Sequence, residues 1–287
     1  MTEARSAGAP TVLRVVLGRR LQDLREKAGL SFQEAGRALD VTHATIRRME
    51  KAEVGLKIPY VEKLLRTYGV TGPELEEFLA LAREANQPGW WHRYRDVLPD
   101  WFSAFVSLEG EAAVIRAYEP HYVPGLLQTE DYAREVLRAG NPRAGDDGVE
   151  RGVALRMERQ ALLTRQDAPL LWIVMDETVL RRPIGSPAVM RAQIARLIDA
   201  CELPDVRLQI MPFTAGPHPA MYGPFHIFRF QTHGLPDVVY SESLVGGVYF
   251  DDRDDVSTFL EALDRMCAQA APTRSTLRIL GEIHKET

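Results

Sequence analysis

The stretch from Ser31 to Met49 constrains this chain more than any other. Ser31-Phe32-Gln33-Glu34 has the form of a capping box, in which a hydroxyl accepts the amide three residues on and that residue's carboxylate reaches back. A short helix follows, with Ala35 and Leu39 facing inward. Asp40-Val41 then leaves room only for a tight turn. Thr42 is in position to cap a third helix running to about Met49, whose Ile46 and Met49 share one face. Upstream, Leu13, Leu17, Leu21 and Leu24 recur at helical spacing among Arg14, Arg19, Arg20 and Arg25, and Gly29 is a plausible stop. Downstream, Ile58-Pro59 opens a fourth helix reaching about Tyr68, since proline suits a first turn. A fifth runs from Glu74 to about Ala85, with Leu75, Phe78, Leu79 and Ala82 on one stripe.

Charge is divided along the chain in the same way. The net value of -5 argues against a polyanionic partner, yet residues 10–70 carry 12 Lys+Arg against 7 Asp+Glu. Residues 71–287 carry 22 against 32. A mildly basic head on an acidic body fits a nucleic-acid-binding module joined to a domain with another task. Residues 1–10 read as a disordered tail, residues 11–86 as the helical head, and Asn86-Gln87-Pro88-Gly89 as the boundary. Trp90-Trp91 follow at once, so the linker is expected to pack. No apolar run approaches the ~18 residues of a membrane span, and the N-terminus lacks the order of a secretory signal. Cys201 and Cys267 are far apart with no Cys-x-x-Cys neighbour, which fits a reducing cytoplasm.

Helix, turn and helix at this spacing lay one helix across a DNA backbone and send the next into the major groove. The polar face of the third helix is Thr42, His43, Thr45, Arg47 and Arg48. Arginine pairs bidentately with guanine O6 and N7. Thr42 and Gln33, with the first amides of helix two, are better placed as phosphate anchors, which position without specifying. A plain helical bundle is the alternative. The text LGRRLQDLREKAGLSFQEAGRALDVTHATIRRMEKAEVGLKIP resembles the XRE (Cro and phage-repressor-like) helix-turn-helix family over residues 13–70. The resemblance implies that His43, Ala44 and Arg48 take base-reading positions, with Arg47 adjacent. Ser31 and Lys51 complete the candidate DNA-facing set. It also implies a homodimer on a two-fold operator of double-stranded DNA. The family often has Gln directly after the cap of helix two. Here Phe32 stands there and Gln33 follows.

Residues 90–287 are expected to form an α+β (α/β) domain with a small mixed sheet, so the chain is multidomain: an all-α five-helix head, then this body. Residues 90–169 read as mainly helical, over 107–118, 132–139 and 149–163. Residues 170–287 read as sheet with helices: strands at 170–175, 206–211, 225–230, 238–240 and 247–250, helices at 189–201 and 256–270. The runs VPGLLQTEDYAREVL, ALRMERQALL, VMDETVLRRPIG, LQIMPFTAGPHPAMYGPFHIFRF and DVVYSES resemble the C-terminal domain, of unknown function, of a large actinobacterial regulator family. That resemblance implies a small acidic partner protein; a small-molecule effector is the other reading of this domain, with a protein-interaction module of an antitoxin-like pair or an enzyme fused to the head as alternatives.

Catalysis is weakly supported. Asp176-Glu177 at a strand end permits acid–base work, but a carboxylate pair capping the next turn is the simpler reading. His218, His226 and His233 lack metal-ligand spacing, and His226, alternating with aromatics, is expected on the solvent side of a strand. No phosphate or dinucleotide glycine motif and no nucleophile elbow occurs, so neither cofactor nor catalytic residue is assigned. The Pro- and Gly-rich segment 212–219 is a loop of the kind that carries binding. Tyr118, Tyr122, Gln128, Tyr132, Arg156, Gln160, Phe213 and His218 form the candidate pocket for a ligand or partner, with ordinary core as the competing reading for the aromatics.

Overall fold

A computed structural model of the protein describes residues 12–86, 89–231 and 236–287. The expected tail at 1–10, linker residues Gln87 and Pro88, and His233 lie outside them. The chain divides into two compact units, one within Met1–Arg95 and Pro99–Leu108, the other Asp96–Leu98 with Glu109–Thr287.

The first unit is helical. Helices α1 (Val12–Lys27), α2 (Phe32–Leu39), α3 (His43–Glu50), α4 (Ile58–Thr67) and α5 (Pro73–Ala85) follow one another. Their apolar stripes meet in one core that includes Leu17, Leu21, Ala35, Leu39, Ile46, Met49, Leu64 and Phe78. The capping box at Ser31 forms in full: the Ser31 amide donates to Glu34 Oε2 at 2.8 Å and the Glu34 amide to Ser31 Oγ at 3.3 Å. Asp40 stops α2 in the left-handed region at φ 57°, and its amide closes on Arg37 and Gly36 carbonyls. Thr42 sits at the N-cap of α3, but its hydroxyl does not cap. Thr42 Oγ1 pairs instead with Thr45 Oγ1 at 3.1 Å, since two hydroxyls three apart on one helical face satisfy each other. A 3-10 turn at Trp90–Tyr94 follows, then α6 (Asp100–Glu111).

The second unit is built on a six-stranded mixed sheet. Strand β1 (Val114–Glu119) leads to α7 (Glu130–Gly140) and α8 (Asp146–Arg159). Then come β2 (Leu170–Asp176), α9 (Glu177–Arg181), α10 (Pro187–Ala200) and β3 (Val206–Met211). Strands β4 (Phe225–Arg229), β5 (Val238–Ser243) and β6 (Gly246–Phe250) precede α11 (Arg253–Gln269) and α12 (Thr273–Glu286). The order is β3-β2-β1-β4-β5-β6; β1, β2 and β3 run parallel, and β4 to β6 are antiparallel.

Two expectations for this domain are corrected. Residues 107–118 are not one helix: α6 ends at Glu111 and β1 occupies the centre of the sheet. Six residues, Val114-Ile115-Arg116-Ala117-Tyr118-Glu119, fit either period, and pairing on both sides decides for strand. His226 is not on an open face. Its side chain is 16% exposed and Nε2 lies 3.1 Å from Glu119 Oε1.

Register assigns the faces. Tyr118, Val174, Met211, Phe225, Ile227 and Val239 form one core with Val256, Leu263 and Met266 of α11. Ala117, His226 and Tyr240 are direct partners on the opposite face, and Glu119, two residues on from Ala117, shares it. Edge strand β3 is closed by the chain itself: Ala271 N donates to Ile210 O at 2.9 Å and Thr276 Oγ1 to Leu208 O at 2.7 Å.

Candidate nucleic-acid interface

Two glycines let α3 seat closely in the head. A Cβ on Gly18 of α1 would stand 2.5 Å from the Glu50 carbonyl oxygen. One on Gly36 of α2 would stand 2.8 Å from the Val41 carbonyl. Backbone at these distances cannot yield, so both positions require glycine. The end of α3 is also fastened by charge. Buried Arg25 donates Nε to Glu50 Oε1 at 2.8 Å and Nη2 to Oε2 at 3.0 Å, and Nη1 to the Leu30 carbonyl at 2.9 Å. The hydrogen bond that Arg25 donates to Glu50 is the main reason its pKa is raised. Phe32, which stands where the family often has Gln, lies under the Arg25 guanidinium at 4.1 Å. Its ring thus covers a buried guanidinium, and Gln33 beside it is exposed.

With Ile46 and Met49 buried, α3 presents Thr42, His43, Ala44, Arg47 and Arg48 as exposed residues, followed by exposed Lys51 and flanked by half-buried Thr45. Arg48 lies 3.7 Å from Glu53 with both side chains more than half exposed, an arrangement worth roughly 0–1 kcal/mol and easily given up. Arg47 and Lys51 make no ion pair among the described residues. Ser31 is committed to its cap, donating Oγ to Glu34 Oε2 at 2.7 Å. Gly18, Gly36, Arg25 and Glu50 were not singled out from sequence. A glycine within the leucine-patterned first helix was the available signal, because its helix cost asks for a packing reason.

The candidate pocket residues of the second unit do not converge. Tyr118 lies on the α11 face, its hydroxyl 3.4 Å from Asp176 Oδ2 and 3.2 Å from His218 Nε2. Burial and the nearby Asp176 carboxylate push that phenol up. Gln128, Tyr132, Arg156 and Gln160 gather elsewhere, around loop 123–129. Gln128 Nε2 donates to the Val123 carbonyl at 2.7 Å and Val123 N to Tyr132 Oη at 3.3 Å. Gln160 Nε2 donates to the Gly125 and Gln128 carbonyls at 3.0 and 2.7 Å. Arg156 Nη1 donates to Gln128 Oε1 at 2.8 Å. Tyr122 and Phe213 are 44% and 59% exposed. Asp176 caps α9 by accepting the Thr178 amide at 2.8 Å and also takes the Thr178 hydroxyl; Glu177 Oε2 accepts Phe213 N at 3.1 Å. Both carboxylates therefore have structural tasks. Among the described residues no three His, Cys, Asp or Glu converge as a metal site, and no helix is long and apolar enough to cross a membrane.

Comparison with known proteins agrees with the two-part layout. A helix-turn-helix domain model matches residues 16–78. Over 71 residues the chain is 32% identical to the HTH-type transcriptional regulator PuuR of Escherichia coli (strain K12), and equally to PuuR of Shigella flexneri. The match covers 25% of this chain and 37% of each relative's length. No solved structure matches. The model described as domain of unknown function (DUF5753) matches residues 102–282. That is well over half of the sequence, so behind its helix-turn-helix head the chain belongs to the DUF5753 family.

Proposed function

We propose that the protein is a sequence-specific DNA-binding transcription regulator that inserts α3 into the major groove and is governed through its second unit. The observation that carries this reading is the division of α3: Ile46 and Met49 are buried, while Thr42, His43, Arg47 and Arg48 are exposed as a continuous polar face. Arg47 and Arg48 read bases, with His43 and Ala44 against neighbouring edges. Gln33, Thr42, Thr45 and Lys51 hold phosphates, and Ser31 shapes the helix start that faces them. The protein acts in the cytoplasm as a homodimer on a two-fold operator, as one of the actinobacterial regulators of its kind, and has no catalytic activity of its own. The acidity of residues 71–287 favours a small-molecule effector over an acidic partner protein, because like charge opposes that docking.

The test is genome-wide immunoprecipitation of the tagged protein, followed by binding to the recovered sites. Wild type is expected to enrich a common palindrome. Changing both Arg47 and Arg48 to Ala removes contacts worth about 1–3 kcal/mol each, so affinity falls roughly a hundredfold, with melting temperature unchanged because both side chains are exposed. Undiminished binding by the double variant would remove α3 as the reader. Copurification of a stoichiometric acidic protein would replace the effector reading.

A further inference from the structure

We propose that Arg156, held by Gln128 beside loop 123–129, is the anchor for the carboxylate of a small organic monoacid. This deepens the effector reading above and rests on it. Arg156 is half-buried on α8, and among the described residues its one side-chain partner is a neutral amide, Gln128 Oε1 at 2.8 Å. It makes no ion pair among the described residues. The carboxylates whose fields reach it, Glu242 and Glu109, make no ion pair with it. Glu109 is held by Arg159 through two bonds of 2.7 and 2.8 Å. Glu119 faces His226, and Glu242 accepts the Tyr240 hydroxyl at 3.0 Å. A guanidinium withdrawn from water without a paired anion is costly. Accordingly, burial, with the adjacent Arg159 cation adding to it, pulls Arg156 down to about 10. An incoming carboxylate supplies what is missing, since the planar fork matches it bidentately.

The surroundings narrow the class. Glu119, His226, Tyr240 and Glu242 share one sheet face, the Glu242 charge reaches Arg156, and Glu119 and His226 keep 13% and 16% of their side chains accessible. Water therefore still reaches this face at the carboxyl end of β1. There the parallel strands give way to antiparallel β4, and changes of strand order of this kind are where open sheets bind ligands. A cation with no ion pair among the described residues, set among several carboxylates, suits a single negative charge and disfavours phosphate dianions. The network explains how occupancy is felt: Gln128 ties Arg156 to the Val123 carbonyl, so a carboxylate taken by Arg156 pulls on loop 123–129.

The full chain is melted in acetate, benzoate and succinate against chloride at equal ionic strength, alongside Arg156→Gln and Arg156→Lys. At least one monocarboxylate is expected to raise the wild-type melting temperature saturably. Arg156→Gln should give no saturable rise. Arg156→Lys, which keeps the charge but not the fork, should bind at least tenfold more weakly, since a charge-assisted bond is worth about 1.5–3 kcal/mol. No saturable rise in wild type, or an equal rise in Arg156→Gln, overturns the proposal. Succinate acting more strongly than the monoacids overturns the class. Palindrome binding is followed on the same samples in chloride, so failure of the anion-free protein to bind DNA, with Arg156-dependent anion binding intact, counts against the regulator reading and not against the anchor.

Discussion

At the residue scale the head depends on a few close approaches. Gly36→Ala would ordinarily favour a helix by about 1 kcal/mol. Here the new methyl would meet the Val41 carbonyl at 2.8 Å, so the sign reverses. We expect a loss of about 1–3 kcal/mol, the range for forced overpacking, read by urea denaturation. A gain in stability would mean that the turn yields. The Arg25–Glu50 pair makes a second prediction. Both side chains are buried and doubly bonded, so Arg25→Met or Glu50→Leu alone should cost about 3–5 kcal/mol by stranding a charge. The double variant should cost much less than the sum of the two, and additive losses in the denaturation cycle would show that the pair is not coupled.

At the scale of elements, α2 is positioned by its start. Hydrogen bonds from the Ser31 hydroxyl and amide hold the Glu34 carboxyl below its ordinary value of 4.5. A carboxylate depressed in the fold contributes stability that is present above its unfolded value and lost as pH falls through the folded one. Wild type should therefore lead Ser31→Ala in melting temperature at neutral pH, and the lead should shrink below pH ~4. A gap constant from pH 7 to 3 would show that the ionised carboxylate takes no part. The same element placed Phe32 under Arg25, so the departure from the usual family residue has a local reason: the ring covers a buried guanidinium.

At the scale of the whole molecule, a basic head and an acidic body are carried on one chain. If two heads read a palindrome, gel filtration should give a dimer at micromolar concentration. Binding should weaken steeply with salt, by a slope near -0.9 for each phosphate neutralised. The slope should fall by about one for Lys51→Ala, which touches backbone rather than base. A monomer protecting a single half-site would count against the dimer. A salt slope unchanged by Lys51→Ala would remove that phosphate contact.

The head was legible from local sequence. Its caps, turn and apolar periodicity are local signals, each set within a few residues, and the structure realises the box at Ser31, the left-handed Asp40 and the buried Ile46 and Met49. Tertiary structure decided what depends on distant partners. β1 is a strand because β2 and β4 pair with it from 56 and 115 residues away by register. α12, to which sequence pattern had assigned no element, closes the β3 edge through Thr276. The candidate pocket shows the same limit. Tyr118 and Tyr132 lie only 14 positions apart in sequence, yet the sheet separates Tyr118, on the α11 side, from the cluster around Arg156. Which face a strand residue takes is fixed by its neighbours across the sheet, and that information lies elsewhere in the chain.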